Sequence, residues 1–199
     1  MTAIKNILSV ARYERKMLLR TTKFRILGGL GIAIPIIQGG VMAVLEANGM
    51  DFGSVIGLGA YLPFYMYSYL QAVVIAFIVG DFRAADERAE IYEVLAARPI
   101  STAELVTGKY LGVVGALVTL SLVVLVLALA IQAAKISITK TPFTVKPYLI
   151  YLLLMNMPGL VFMSALTFFL GALLRRQTAV TLITIAYGLS VLFFLGRRY

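Results

Sequence analysis

Five stretches of the chain contain no Asp, Glu, Lys or Arg: Ile26–Leu45, Phe52–Gly80, Tyr110–Ala134, Pro147–Leu174 and Gln177–Gly196. Each runs for about 20 residues or more, which at ~1.5 Å per residue spans a hydrocarbon core ~30 Å thick. A core helix of a water-soluble domain keeps charges on the face it turns to solvent. These stretches keep none on any face, so they predict an all-α integral membrane protein with five transmembrane helices. The second stretch is longer than one crossing requires. Gly53, Gly57, Gly59 and Pro63 predict that it opens as an external loop or short interfacial segment, leaving the span proper at 61–80.

The polar positions between these stretches orient the chain. Lys5, Arg12, Arg15, Lys16, Arg20, Lys23 and Arg25 precede the first span, and none follows it before the second. Arg83, Arg88, Arg98 and Lys109 lie between spans two and three, Lys135, Lys140 and Lys146 between three and four, and Arg175 and Arg176 between four and five. Because basic residues stay on the cytoplasmic side, the N-terminus is expected inside: thirteen Lys and Arg then face inward and five outward. The outer group includes Arg197 and Arg198, a basic pair on the wrong side, and only Tyr199 follows them. A sixth span, or further chain, is therefore expected to follow.

Ahead of the first span, Ile4, Ile7, Leu8, Ala11, Leu18 and Leu19 recur at helical spacing, with Lys5, Arg12, Lys16 and Lys23 on other faces. The pattern predicts an amphipathic helix over residues 1–25, lying in the inner membrane interface. With eight charges in the first 25 residues and no continuous apolar run, it is not the pattern of a secretory signal.

The segment 81–109 holds six of the nine acidic residues. Asp81 is placed to cap a helix, with Asp86 and Glu87 toward its N-terminal half, where acidic groups suit the helix dipole. Arg83 and Glu87 stand at the spacing of an ion pair. Ile91, Val94 and Leu95 give that helix an apolar edge, and Pro99 ends it because the residue before proline disfavours helical dihedrals. Ser101 and Glu104 then form a capping box before an apolar run. A second helix is expected to start there and continue through Gly108 and Lys109 into span three.

Composition narrows the chemistry. The chain is 61% hydrophobic and 14% charged, with a mean hydropathy of +0.94, against roughly 45–50% and ~25% for soluble domains. It has no Cys, His or Trp. No thiolate, imidazole base or ordinary zinc site can be built from it. The net charge of +9 is concentrated at span ends, where anionic lipid accounts for it, and no interleaving of aromatic and basic residues suggests a nucleic-acid partner. The sole Gly-Lys pair is Gly108-Lys109, and Ala103 stands where a phosphate-binding loop needs its first glycine. Any ATP hydrolysis thus belongs to another chain. No ionisable residue is expected mid-membrane, which disfavours an ion-coupled carrier. A lipid-modifying enzyme is disfavoured by the lack of a base or nucleophile.

A few polar residues fall inside spans: Gln38, Gln71, Gln132, Asn156, Ser164 and Thr167. Gln38, Gln71 and Asn156 are candidates for a substrate path, although such residues more often bond one helix to another. Gly108, Gly112 and Ala116 form a ladder of small residues that permits close helix approach, with dimerisation as one use. Tyr61, Tyr65, Tyr67 and Tyr69 are expected to form an interfacial belt, with the lining of an exit path as the alternative.

The layout of these features resembles the membrane permease subunits of type-2 ABC exporters. The resemblance rests on the interfacial helix before span one, the charged segment between spans two and three, and a motif within it. That motif is Glu93, a short apolar run, Pro99-Ile-Ser101, then Gly108-Lys109 opening span three. It is sharp over 86–112 and general elsewhere. The resemblance implies a coupling helix seated in a groove of a separate ATPase subunit, with Glu87, Arg88, Ile91, Tyr92, Glu93 and Leu95 in contact. Pro99, Ser101 and Glu104 would hold the hinge. It further implies a second permease copy or homologue, residence in the plasma (inner) membrane, and ATP on the partner subunit with no cofactor on this chain. A lipophilic or amphipathic substrate suits the apolar lining. The alternative is a non-transporting membrane scaffold that recruits a soluble partner through the helix at 81–98.

Overall fold

The computed structural model describes residues 2–49, 56–80, 101–139, 143–174 and 176–195. Helices account for nearly all of them, and no strand occurs among the described residues. In order they are α1 (Thr2–Arg20), α2 (Thr22–Ala47), α3 (Ile56–Gly80), α4 (Thr102–Thr139), α5 (Lys146–Ile150), a π-helical turn (Tyr151–Asn156), α6 (Met157–Leu173) and α7 (Gln177–Leu195). An apolar chain in lipid has no water to satisfy its peptide groups, and the helix satisfies them within one segment.

Among the described residues, Thr22–Leu45, Thr102–Ala134 and Lys146–Leu173 are long and apolar enough to cross a membrane, and Met66–Val79 and Gln177–Val191 are shorter apolar helices. Large side chains point outward from them with nothing over them: Val126 is 63% exposed, Leu154 72%, Phe169 64% and Leu182 63%. Water would oppose such a surface at roughly 25 cal/mol per Å², whereas lipid does not. These elements define a membrane protein.

Local chemistry sets the boundaries. The first two helices are separated by Thr21 alone. Its hydroxyl donates to the Leu18 carbonyl at 2.8 Å and accepts from the Phe24 N–H at 3.3 Å, closing α1 and capping α2 with one side chain. At the other end of α2, Asn48 donates to the Val44 carbonyl at 2.8 Å. Gly49 follows at φ +86°, a left-handed conformation that suits glycine at a helix end.

One expectation is corrected here. The opening of the second apolar stretch is helical from Ile56, through Gly57, Gly59 and Pro63, which removes the external loop over 56–60 and leaves the short interfacial segment as the alternative. Internal peptide bonding in an apolar run outweighs the weak helix propensity of two glycines. The fourth stretch departs from regular α-helix just ahead of Pro158. It widens over Tyr151–Asn156, where the Met157 N–H donates to the Leu152 carbonyl five residues back. Pro158 supplies the cause: it has no N–H, and in an α-helix its ring would meet the carbonyl four residues earlier. Widening the turn relieves that encounter.

The described residues fall into two compact units. The first comprises 2–25, 72–80, 101–117, 160–174 and 176–195. Its core holds Leu18, Ile75, Val79, Leu117, Leu160 and Val180, all buried. Tyr110 of α4 donates to the Val161 carbonyl at 3.1 Å and meets Phe168 edge-on with ring centroids 5.6 Å apart. Thr181 of α7 donates to the Ala76 carbonyl of α3 at 3.3 Å. The second unit comprises 26–49, 56–71, 118–139 and 143–159, with Tyr67, Val124, Ala128 and Leu152 buried. In it α2 passes close to two neighbours. A Cβ on Gly31 would stand 3.2 Å from the Tyr67 ring, and one on Gly39 2.6 Å from Ile131.

Candidate functional site

The first unit contains the start of α4, where the segment of greatest sequence interest ends. Ser101 and Glu104 form the capping box their spacing predicts. The Glu104 N–H donates to the Ser101 hydroxyl at 3.3 Å, and the Ser101 N–H donates to the Glu104 carboxylate at 3.3 Å. From there α4 runs unbroken through Gly108 and Lys109, as the sequence led us to expect. Pro99, Glu87, Arg88, Ile91, Tyr92, Glu93 and Leu95 lie outside the described residues, as does the expected cap at Asp81.

Helix α1 is fastened to this start of α4. Asn6 donates to the Glu104 carboxylate at 3.3 Å, so one carboxylate serves both the capping box and α1. About one and two turns further on, the helices pack backbone to backbone. A Cβ on Gly108 would stand 2.7 Å from Val10 Cβ and 3.0 Å from the Ile7 carbonyl. A Cβ on Gly112 would stand 2.7 Å from Glu14 Cβ and 2.8 Å from the Ala11 carbonyl. Only glycine allows this approach. The ladder of small residues therefore receives α1 of the same chain, an assignment that spacing alone left open. Glu14 and Lys109 are both buried in this unit and neither lacks a partner. A buried charge is costly unless it is compensated, and each of these two has a partner.

The second unit contains a cluster of neutral polar side chains. Gln71 donates to the Ser121 hydroxyl at 3.0 Å and to the Tyr67 hydroxyl at 3.5 Å. The Tyr67 and Ser121 hydroxyls lie 3.2 Å apart. Asn156, at the end of the π-helical turn, donates to the Gln71 carbonyl at 2.8 Å and to the Ser68 hydroxyl at 3.1 Å. Three parts of the chain are thus tied together: α3, α4 and the turn before Pro158. Tyr67, Gln71, Ser121 and Asn156 are almost wholly buried. Every amide hydrogen of Gln71 and Asn156 is used, yet the Asn156 carbonyl oxygen has no hydrogen-bond partner.

Of the three candidates for a substrate path, Gln71 and Asn156 come together and bond helix to helix. Gln38 is not in that network, and its carbonyl oxygen is buried without a partner, as is that of Gln132. Tyr67, expected in an interfacial belt, is instead fully buried at the centre of the cluster. The correction has a readable origin: Tyr67 and Gln71 are four residues apart and share a helix face. Ser68 and Ser121 were not singled out from the sequence, because a serine in an apolar run satisfies itself on its own helix as readily as across helices.

Comparison with protein-family models, with curated proteins and with solved structures finds no match.

Proposed function

We propose that the chain is the membrane-spanning permease subunit of an ATP-driven type-2 ABC exporter, working as a dimer with ATPase subunits. In this reading five helices cross the plasma (inner) membrane from a cytoplasmic N-terminus. Helix α1 lies along the inner interface, and segment 81–109 docks on the ATPase. ATP-driven closure of two ATPase subunits moves the coupling segment and switches the permease between inward- and outward-open states. A lipophilic or amphipathic substrate fits the apolar, uncharged spans, since an uncompensated charge there is costly.

The observation that carries the reading is the shared Glu104 carboxylate. It caps α4 inside the coupling segment and holds Asn6 of α1. A push delivered at residue 101 would therefore act on a spanning helix and on the interfacial helix together. Gly108 and Gly112 stiffen that joint by removing the side chains that would let the two helices slide.

The test is the ATPase activity of the reconstituted complex. Glu93→Ala with Leu95→Ala is expected to leave ATP hydrolysis insensitive to substrate and to abolish transport. Transport unchanged by the double substitution would remove the reading.

A further inference from the structure

Helix α1 has one face fixed and one face free. The fixed face carries Ile7, Val10, Ala11 and Glu14, seated over Gly108 and Gly112 at separations that leave no room to roll. That seating has an electrostatic consequence. Glu14 is the helix's only acid, and it is buried. The outer face keeps no negative charge.

On that outer face Ile4, Leu8, Arg12, Arg15 and Leu19 follow one another at intervals of three and four residues, one helix face whose edge touches α4 where the Arg15 stem passes Gly115. Lys5 and Lys16 border it. All seven are exposed, Ile4 to 66% and Leu8 to 59%. We infer that this face binds anionic phospholipid, with Lys5, Arg12, Arg15 and Lys16 on headgroup phosphates and Ile4, Leu8 and Leu19 among the acyl chains. Charge complementarity selects the anion: four exposed cations lie on or beside this face of the helix, with no exposed acid on it. The apolar residues select the lipid. A nucleic acid or an acidic protein in water would leave Ile4 and Leu8 unsatisfied amid the cations, whereas the boundary between headgroups and acyl chains accommodates both kinds of side chain. The inference rests on α1 lying at the inner surface and adds a selectivity for headgroup charge.

The absence of native cysteine allows a clean test. The chain is reconstituted in vesicles of equal parts phosphatidylcholine and phosphatidylglycerol, then extracted in mild detergent, and the retained lipid is measured. Each basic side chain near an anionic surface is worth roughly fivefold in partitioning. Phosphatidylglycerol is therefore expected on the protein at about fivefold or more over its bulk ratio. Lys5→Gln, Arg12→Gln, Arg15→Gln and Lys16→Gln combined should return the ratio to bulk. Lys146→Gln with Arg176→Gln, both exposed and outside α1, should not. A wild-type ratio equal to bulk, or enrichment that survives the four substitutions, overturns the inference. So does displacement of the lipid by inorganic phosphate or by a short DNA duplex, which would assign the face to a soluble anion.

A polarity-sensitive dye on Leu8→Cys, with Tyr13→Cys as the exposed control about 140° round the helix, distinguishes interfacial placement from charge selectivity. A blue shift at residue 8 in phosphatidylcholine vesicles, without phosphatidylglycerol enrichment, keeps α1 at the interface and overturns the charge selectivity. No shift in either vesicle overturns the interfacial placement itself.

Discussion

Replacing Gly112 with alanine tests the joint between α1 and α4 with a single methyl group. The added Cβ would stand 2.7 Å from Glu14 Cβ, and ordinary contact begins near 3.4 Å, so α1 must retreat by the difference, 0.7 Å. A flexible side-chain end could swing away, but the second neighbour is the Ala11 carbonyl oxygen at 2.8 Å, which moves only if the helix moves. Overpacking of this kind costs about 1–3 kcal/mol. Against it stands the helix-propensity gain of Gly→Ala, about 0.5–1 kcal/mol. The net expectation is a destabilisation of about 1–2 kcal/mol, or a fall of roughly 2–8 °C in the unfolding midpoint for a chain of this size. Gly29→Ala is the matched control, because a Cβ there meets nothing within 4 Å. Only the propensity gain remains, and the midpoint should rise by roughly 1–4 °C. Thermal unfolding of both variants in the same detergent decides the matter. If the two midpoints move in the same direction, the close approach of α1 to α4 is refuted.

The polar cluster makes an ordering prediction. Gln71→Leu removes three hydrogen bonds at about 0.6 kcal/mol each, whereas Asn156→Leu removes two and also an unpartnered buried oxygen whose penalty is about 1–3 kcal/mol. In chemical or thermal unfolding Gln71→Leu should be the more damaging, by about 1 kcal/mol or more; the reverse order would contradict the network. Pro158→Ala restores the missing N–H and should let the π-helical turn close to an α-helix, swinging Asn156 by about 100° away from Gln71. Loss of the Asn156–Gln71 contact by solid-state NMR checks this, and its persistence would show that proline is not the cause. Removing the capping box with Ser101→Ala should cost about 1 kcal/mol, and amide exchange at Glu104 should quicken while exchange at the far end of α4 stays unchanged.

How much of this could be read from the sequence depends on the range of the interaction. The capping box at Ser101 and Glu104 is local chemistry within four residues, and it was legible. Charge-free runs marked the apolar helices, because lipid imposes a one-dimensional rule on composition. The Gly108 and Gly112 ladder announced a close approach but not its partner: any small-residue face accepts any helix, and Val10 and Glu14 lie nearly a hundred residues away. The Gln71–Asn156 bond was illegible for a different reason. The direction in which Asn156 faces depends on the extra residue in the turn that ends there, so regular helical counting misplaces it. Tyr67 misled because tyrosine suits a membrane interface by default, and only its four-residue spacing from Gln71 hinted at a buried use.

In the proposed exporter another protein hydrolyses ATP and grips this chain through the coupling segment. The most direct measurement is to tag the chain, extract native membranes in mild detergent, and assay the purified material for co-purifying ATPase. A stoichiometric soluble ATPase that is lost on Glu93→Ala with Leu95→Ala is expected. A preparation free of ATPase, drawn from membranes in which the complex survives extraction, would contradict the exporter assignment and favour a scaffold.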